Sequence, residues 1–344
     1  MIVSKEKLEK YAQTVLVHFG ETKENAKIVA ESMVRADMRG VTTHGTYLLE
    51  VIKKRKNGQQ LTLPTTVSVV YDQDAVALLD GNDGIGMVGG HKALDVAIEK
   101  ARIYGIGMVL LRNTNNVGTL STYTQKAADQ GMIAFMCGNA APSMAPWGGM
   151  EAYFGTSPFS VGIPVPGDTC YNADMAATVV ARGKIRKALR QGKEIPAGWA
   201  QDENGAPTTD PAKAMKGTLF PIGGPKGSAI AMTIDIIAGL LSGSNYARSV
   251  KSFHILDGRT GLGAAFIVFD PVRFMPRKTF DKKMDGYIED VKSVKLAEGF
   301  TEIMLPGEIE YRKEKESEKF GITIDEQQYE NLKKLLVEAG CPVE

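Results

Sequence analysis

Apolar positions recur three and four residues apart through roughly the first sixty residues, the spacing of helices that bury one face. Ser4 can cap a helix running to about His18 with Gly20 as its stop, and Thr22 opens a second to about Met38, stopped by Gly40. Thr42 or Thr43 then caps a third, which carries Tyr47 to Ile52 into Lys53-Lys54-Arg55. From Val67 the period shortens. Ala75 to Leu79, Gly107 to Leu111 and Ile133 to Met136 read as strands, alternating with helices at Gly89 to Tyr104 and Leu120 to Gln130. Ala229 to Ser242 reads as an apolar helix and Ala264 to Asp270 as a strand. Phe280 to Val294 and Asp325 to Ala339 have amphipathic spacing and are expected to return to the first helices. The chain thus divides into a helical lobe of residues 1–65, joined by 275–344, and an α/β domain of 66–274.

Composition narrows the partners. A chain of 344 residues, 43% hydrophobic, exceeds a single ordinary core, so a cleft between lobes is the expected ligand site. Lys and Arg (41) nearly balance Asp and Glu (40), and no basic stripe with interleaved aromatics is visible, so no nucleic-acid partner is expected. Cys137, Cys170 and Cys341 have no CxxC spacing, which fits a reducing compartment and no bound metal. The longest apolar run, Ala229 to Leu241, is short for a bilayer and contains Asp235, and the opening Ser4-Lys5-Glu6-Lys7 reads as a helix start rather than a leader. A cytoplasmic protein with no membrane partner is expected.

Several segments carry candidate chemistry. Gly84-Ile85-Gly86-Met87-Val88-Gly89 has the G-x-G-x-x-G form, but Asp80-Gly81-Asn82-Asp83 separate it from the preceding strand. The next strand also ends in Arg112-Asn113 without the acidic residue that would hold a ribose. A glycine turn that packs a helix on the sheet is the better reading. Gly223-Gly224-Pro225-Lys226-Gly227 is a stronger anion site, because free N–H groups at a helix start stand beside a lysine; a solvated surface loop is the alternative. Of four histidines, His18 and His91 lie on helices and read as structural, and His254 lies in a segment without orientation. His44, following Thr43, would sit in a first helical turn whose dipole favours a neutral ring. Asn113 to Gly118 is a polar loop after a strand, where α/β proteins place ligand groups. Asp174 and Asp202 are isolated acids near turns, more often caps than ligands.

Taken in order, these blocks resemble the malate/L-lactate (L-sulfolactate) dehydrogenase family, the one without a Rossmann domain. The resemblance runs through Arg39-Gly40-Val41-Thr42-Thr43-His44-Gly45, the Asn113 to Gly118 loop, Pro146-Trp147-Gly148-Gly149, Phe154-Gly155-Thr156-Ser157-Pro158, Gly223 to Gly227 and Leu305-Pro306-Gly307-Glu308. It implies a three-layer α/β fold of the L-sulfolactate-dehydrogenase kind with a mixed sheet, and a homodimer. It further implies hydride transfer between NAD or NADP and a 2-hydroxy or 2-keto acid, or a cyclic imino acid. The cofactor is expected on the 66–274 domain along Asn139-Ala140, Thr156, Asp174-Met175-Ala176 and Lys226, with Pro306-Gly307-Glu308; the substrate is expected at Thr43, Leu48 and Asn115, with His44 and Asn116 as the catalytic pair.

Two departures redirect the expectation. Where the family's loop ends in histidine this chain has Asn116, and where the family places an arginine for the substrate carboxylate it has Leu48. An amide cannot take up a proton, so His44 is left as the candidate acid or base, and Lys53 or Arg55 becomes the candidate carboxylate partner. Arg182, Lys184 and Arg186 are candidates to meet a 2′-phosphate. Alternatives are a nicotinamide-binding protein with weak or no catalysis, acting as a sensor or regulatory subunit, and a cofactor-independent module.

Overall fold

The computed structural model describes residues 1–341. After the short strand β1 (Ile2–Val3), Ser4 and Thr22 accept hydrogen bonds from the backbone of Lys7 and Asn25 and start α1 (Lys5–His18) and α2 (Lys23–Met38). The third helix departs from the expected boundary. Thr42–His44 forms a separate 3₁₀ turn, and α3 (Leu48–Asn57) begins only after Tyr47, with no side-chain cap. The cause is a tertiary contact: the buried Asp37 carboxylate accepts from Thr46 N and Thr46 Oγ1, both at 2.8 Å, and holds the chain in a bend. Gly45 makes the bend possible, because a Cβ there would lie 1.8 Å from Asp37 Oδ1.

The strands that follow are β2 (Ser68–Gln73), β3 (Val76–Asp80), β4 (Ile106–Thr114), β5 (Ile133–Gly138), β6 (Phe159–Ile163) and β7 (Tyr171–Met175), then β8 (Ala200–Gln201), β9 (Pro207–Thr208), β10 (Thr218–Leu219) and β11 (Leu262–Phe269). Seven of them make one mixed sheet in the order β2-β3-β4-β11-β5-β6-β7. Only β3 and β4 run parallel, joined through α4 (Gly86–Tyr104); every other neighbour is antiparallel. α4 and α5 (Ser121–Asp129) cover one face, burying Leu94, Ala97, Tyr123 and Ala127 against Val109, Ala134 and Phe266. Ile234 and Ala238 cover Cys137 and Ala265 on the other face, which completes three layers.

Residues 182–219 form a small unit that the sequence reading had not separated. There α6 (Arg182–Arg190) and α7 (Pro211–Lys216) pack Ile185 and Ala214 with Ile195, Ala200 and Leu219 around the sheet β10-β8-β9. The expected apolar helix begins earlier, as α8 (Pro225–Ile234), and continues as a π-helical turn over Asp235–Leu240. α9 (Arg277–Ser293) is a helix as expected but buries none of its residues, and its Lys292 pairs with Glu308. α10 (Glu308–Phe320), β12 (Ile322–Thr323) and α11 (Glu326–Glu338) do return: β12 pairs antiparallel with β1, and Leu332, Leu335 and Leu336 join Leu8, Leu16 and Leu49 in one core.

Candidate active site

The loop after β4 is held by both layers of the fold. Asn113, at φ 47°, donates from Nδ2 to Asp80 at 2.9 Å and from its backbone to Ser244 Oγ at 3.2 Å, while Thr260 donates to Thr114 O at 2.9 Å. The start of α4 presses on it from the other side. A Cβ at Gly86 would lie 2.3 Å from Asn115 O and 2.6 Å from Asn116 O, and one at Gly90 would lie 2.7 Å from Tyr123 Oη. The glycine string therefore packs helix against loop, and the space a phosphate would need beside Gly86 is filled by carbonyl groups.

Within this loop the two amides differ. Asn116 Oδ1 accepts from Gly118 N at 2.8 Å and is spent on the turn. Asn115 is buried, and neither Oδ1 nor Nδ2 has a hydrogen-bond partner. An unpaired buried amide costs about 1–3 kcal/mol, so a scaffold that keeps one is pointing it at something. It lines a narrow crevice, too tight to hold a water molecule, walled by Leu48, Ile52, Leu61, Ile85, Met87 and Phe253 with Gly86 and Asn116.

His44 lies on the 3₁₀ turn that leads into Leu48, not in a helix, so the expected dipole effect does not act on it. Burial, and then the neighbouring charge of His254, push it down to about 4 instead. The ring is neutral at pH 7 for a different reason than the sequence suggested. Thr43 Oγ1 is 3.1 Å from its Nδ1 and leaves Nε2 for a ligand. His254 was not legible from sequence: it follows the crevice wall Phe253, lies with its ring 6.4 Å from that of Tyr47 and tilted 34° to it, and is itself pushed down by burial and by Arg186 and Arg55.

Neither expected carboxylate partner is available. Arg55 is fully buried, and its terminal nitrogens donate to the carbonyls of Ser252, Phe253, Ile255 and Gly258 at 2.7–3.2 Å. Lys53 pairs at the surface with Glu338. Arg182, a candidate for a phosphate, donates to Met215 O at 2.5 Å, whereas Lys184 and Arg186 remain exposed. His91 is structural in its surroundings: Nε2 lies 2.9 Å from Ser32 Oγ and its ring packs on Tyr123. Asp202 accepts from Asn204 N and Ala206 N as a turn former.

The remaining candidate residues are linked to one another through backbone and scaffold contacts. Asn139 gives both ends of its amide to the scaffold, accepting from Gly263 N at 2.9 Å and donating to Asn245 O at 2.7 Å. Ala140 meets Gly155, where a Cβ would lie 2.3 Å from Ala140 O. Thr156 O accepts from Ala177 N, and Ala177 O from Ile222 N, which carries the row past Met175 and Ala176 to the Gly223 loop. Gly223 and Gly224 have φ of 57° and 63° and deliver Lys226, exposed in the first turn of α8, with no partner among the described residues. At the other end Asn172 N donates to Pro306 O at 2.8 Å, and Gly307, at φ 82°, abuts Asn172. Glu308 is spent internally: burial opposes its charge, but Lys292, Leu305 N and Arg312 hold it below the usual carboxylate range. Asp174 Oδ2 accepts from Ser121 N at 2.9 Å, capping α5 and tying the row to the Asn115 loop.

A three-layer α/β fold with a mixed sheet, carrying a histidine turn, an amide loop and a Gly-Gly-Pro-Lys helix start, defines a class that comparison with known proteins makes specific. The chain belongs to the malate/L-lactate dehydrogenase family, whose model matches residues 3–333. It is 39% identical to the L-sulfolactate dehydrogenase of Methanocaldococcus jannaschii, over 100% of this chain and 99% of that one. The solved structure of sulfolactate dehydrogenase from that organism superposes with a TM-score of 0.93 at 37% identity, covering 99% of this chain and 98% of the other. The malate dehydrogenase of Pyrococcus horikoshii is 34% identical over 98% of this chain and 95% of its own length. A relative from Chromohalobacter salexigens, 28% identical over 85% of each chain, is a (2R)-3-sulfolactate dehydrogenase (NADP(+)).

Proposed function

We propose that this chain is an NAD- or NADP-dependent oxidoreductase that interconverts a 2-hydroxy acid and the matching 2-oxo acid, with His44 carrying the proton. The observation that carries the reading is the neutral His44 ring, with Nε2 uncommitted, on the turn that leads into a crevice holding an unpaired amide. The residues present fit a dinucleotide at the Lys226 end, where two left-handed glycines, a free ammonium and the N-terminus of α8 converge. When bound, the nicotinamide supplies the hydride acceptor for the hydroxy acid and the donor for the oxo acid.

Oxidation of the hydroxy acid breaks the O–H and C2–H bonds: the proton passes to Nε2 of His44 as the hydride leaves C2. A ring held near 4 is unprotonated at pH 7 and ready to accept. In reduction the imidazolium returns its proton to the oxo oxygen. Thr43 Oγ1, 3.1 Å from Nδ1, can accept from it in the tautomer that leaves Nε2 bare, and Asn116 Nδ2, left over from its turn, can donate to the substrate. Kinship to dehydrogenases of malate and sulfolactate supports the reaction class. We also propose that the protein is cytoplasmic, in line with the absence of a disulfide among the described residues, and a homodimer through the exposed apolar stretch Ile230, Met232, Ile236, Leu240 and Leu241.

A nicotinamide-binding protein with little catalysis is the second reading, favoured by the narrowness of the crevice and by Leu48 and Asn116. Titration with NADH and NADPH by fluorescence, followed by a turnover screen of 2-oxo acids and cyclic imines, separates the two. Turnover that falls by about 10²-fold or more in His44→Ala supports the first reading; binding without turnover across the panel supports the second.

A further inference from the structure

A histidine that carries a proton in an active site is usually oriented by a third group bonded to its second ring nitrogen. At His44 that nitrogen meets only the hydroxyl of Thr43, at 3.1 Å. Burial and His254 push the ring down, and no acid acts on it to hold its proton. Placement of Nε2 therefore depends on the backbone of the Thr42–His44 turn. Two bonds close the turn from within, His44 N to Val41 O at 3.0 Å and Gly45 N to Thr42 O at 3.2 Å. Asp37 fastens it to α2: Oδ2 accepts from Thr46 N and Thr46 Oγ1, and Oδ1 presses on Gly45, the residue after His44. Gln328 Nε2 of α11 donates to Thr46 Oγ1 at 2.9 Å, so this hydroxyl links two helices through the turn.

The carboxylate is costly where it stands. It is buried, Oδ1 has no hydrogen-bond partner, and the flanking Arg35 and Arg39 of α2 are bonded to Glu314 instead. Burial raises it to about 6, against which only the neutral Thr46 and Gln328 act. A scaffold accepts such a group where function requires it, and here it lies directly beneath the turn of the candidate proton carrier.

We propose that Asp37 is the positioning residue for His44: by fixing Gly45 and Thr46 it aims Nε2 at the substrate oxygen, without touching the reacting atoms and without lending its charge to the ring. The inference rests on the reading of His44 as the proton carrier.

The test compares Asp37→Ala, Asp37→Asn and Thr46→Val in the full-length protein. Oxidation of L-malate and L-lactate is followed with NAD and NADP, and isotopic labelling of the four histidines lets the His44 ring titration be read by NMR. In Asp37→Ala the turn loses both bonds, and kcat should fall by about 10²-fold, the effect of a displacement of about 1 Å, while KM and cofactor affinity stay within about twofold. The His44 midpoint should move from about 4 toward the ordinary 6.5 as the ring gains water. Asp37→Asn keeps an acceptor for Thr46 and should bring kcat back to within about tenfold of the native value, with the midpoint again near that of the native ring. Thr46→Val keeps its N–H but loses the hydroxyl; it should fall between the two, and it carries the test if Asp37→Ala does not fold.

Native kcat and an unmoved His44 midpoint in these variants would overturn the positioning role, as would a loss of kcat with the midpoint unmoved. A shifted midpoint at native kcat, or with no turnover of either acid, would uphold the hold of Asp37 on His44 and overturn the proton-carrier reading.

Discussion

Replacing Gly86 by alanine tests whether the glycine string packs the fold or binds a cofactor. The backbone at Gly86 is helical, so alanine meets no conformational barrier; the added methyl would sit 2.3 Å from Asn115 O and 2.6 Å from Asn116 O. Both atoms are backbone, and the loop that carries them is pinned through Asn113, Thr114 and Gly118, so it cannot yield as a side-chain tip would. Overpacking of this kind costs roughly 1–3 kcal/mol, and the entropy gained by losing a glycine returns about 0.4–1 kcal/mol. A net loss of about 1–2 kcal/mol corresponds to a fall in Tm of the order of 2–4 °C. Differential scanning calorimetry measures it, with fluorescence titration of NADH and NADPH in parallel. Gly86→Ala should lower Tm and impair turnover through the displaced Asn115 while cofactor affinity stays within about twofold. Lys226→Ala should do the reverse, weakening cofactor binding by about tenfold at unchanged Tm. A Gly86→Ala protein of native Tm that has lost its cofactor would refute the packing argument.

Two further outcomes are expected. Arg55→Met leaves four carbonyls of the 252–258 loop without their donor; stability should fall by about 3 kcal/mol or more, and limited proteolysis should cut this loop first, whereas cleavage elsewhere would deny Arg55 its anchoring role. Burial pushes His91 down to about 4 from 6.5, so between those values the unfolded chain takes up a proton that the folded one refuses. Stability is then complete above pH 6.5 and lost as the pH falls toward 4. His44 acts in the same direction, and Asp37, raised to about 6 by burial, acts in the opposite one because acid neutralises it in the fold. Tm measured across this window should fall less steeply in His91→Gln; an unchanged slope would assign the acid sensitivity to other groups.

Helix starts were legible wherever the determinant was local. Ser4 and Thr22 cap within three residues of themselves, and the periodic stretches of α4, α5 and α11 were placed to within a few positions. What escaped reading was set from far along the chain. The bend at Gly45 depends on Asp37 across the turn, so Thr43 read as a cap when it is instead the partner of His44 Nδ1. Arg55, in a run of basic residues, read as a candidate partner for a substrate carboxylate, although it is wholly buried and bonded to carbonyls. Phe253 and His254 carry no local periodicity and join the site only because Arg55 holds their loop against it. The blocks for the Asp174 to Lys226 row were identified by resemblance; Asp174 also read as a cap and accepts from Ser121 N, but nothing in the spacing foretold that the Glu308 and Asn139 side chains serve the scaffold.

The Arg55 anchor ties together segments about two hundred positions apart, one on a helix of the N-terminal lobe and the other a wall of the crevice. Placement of the 252–258 loop and assembly of the helical lobe are consequently inherited as one trait: any remodelling of Phe253 or His254 has to be accommodated around a fixed guanidinium.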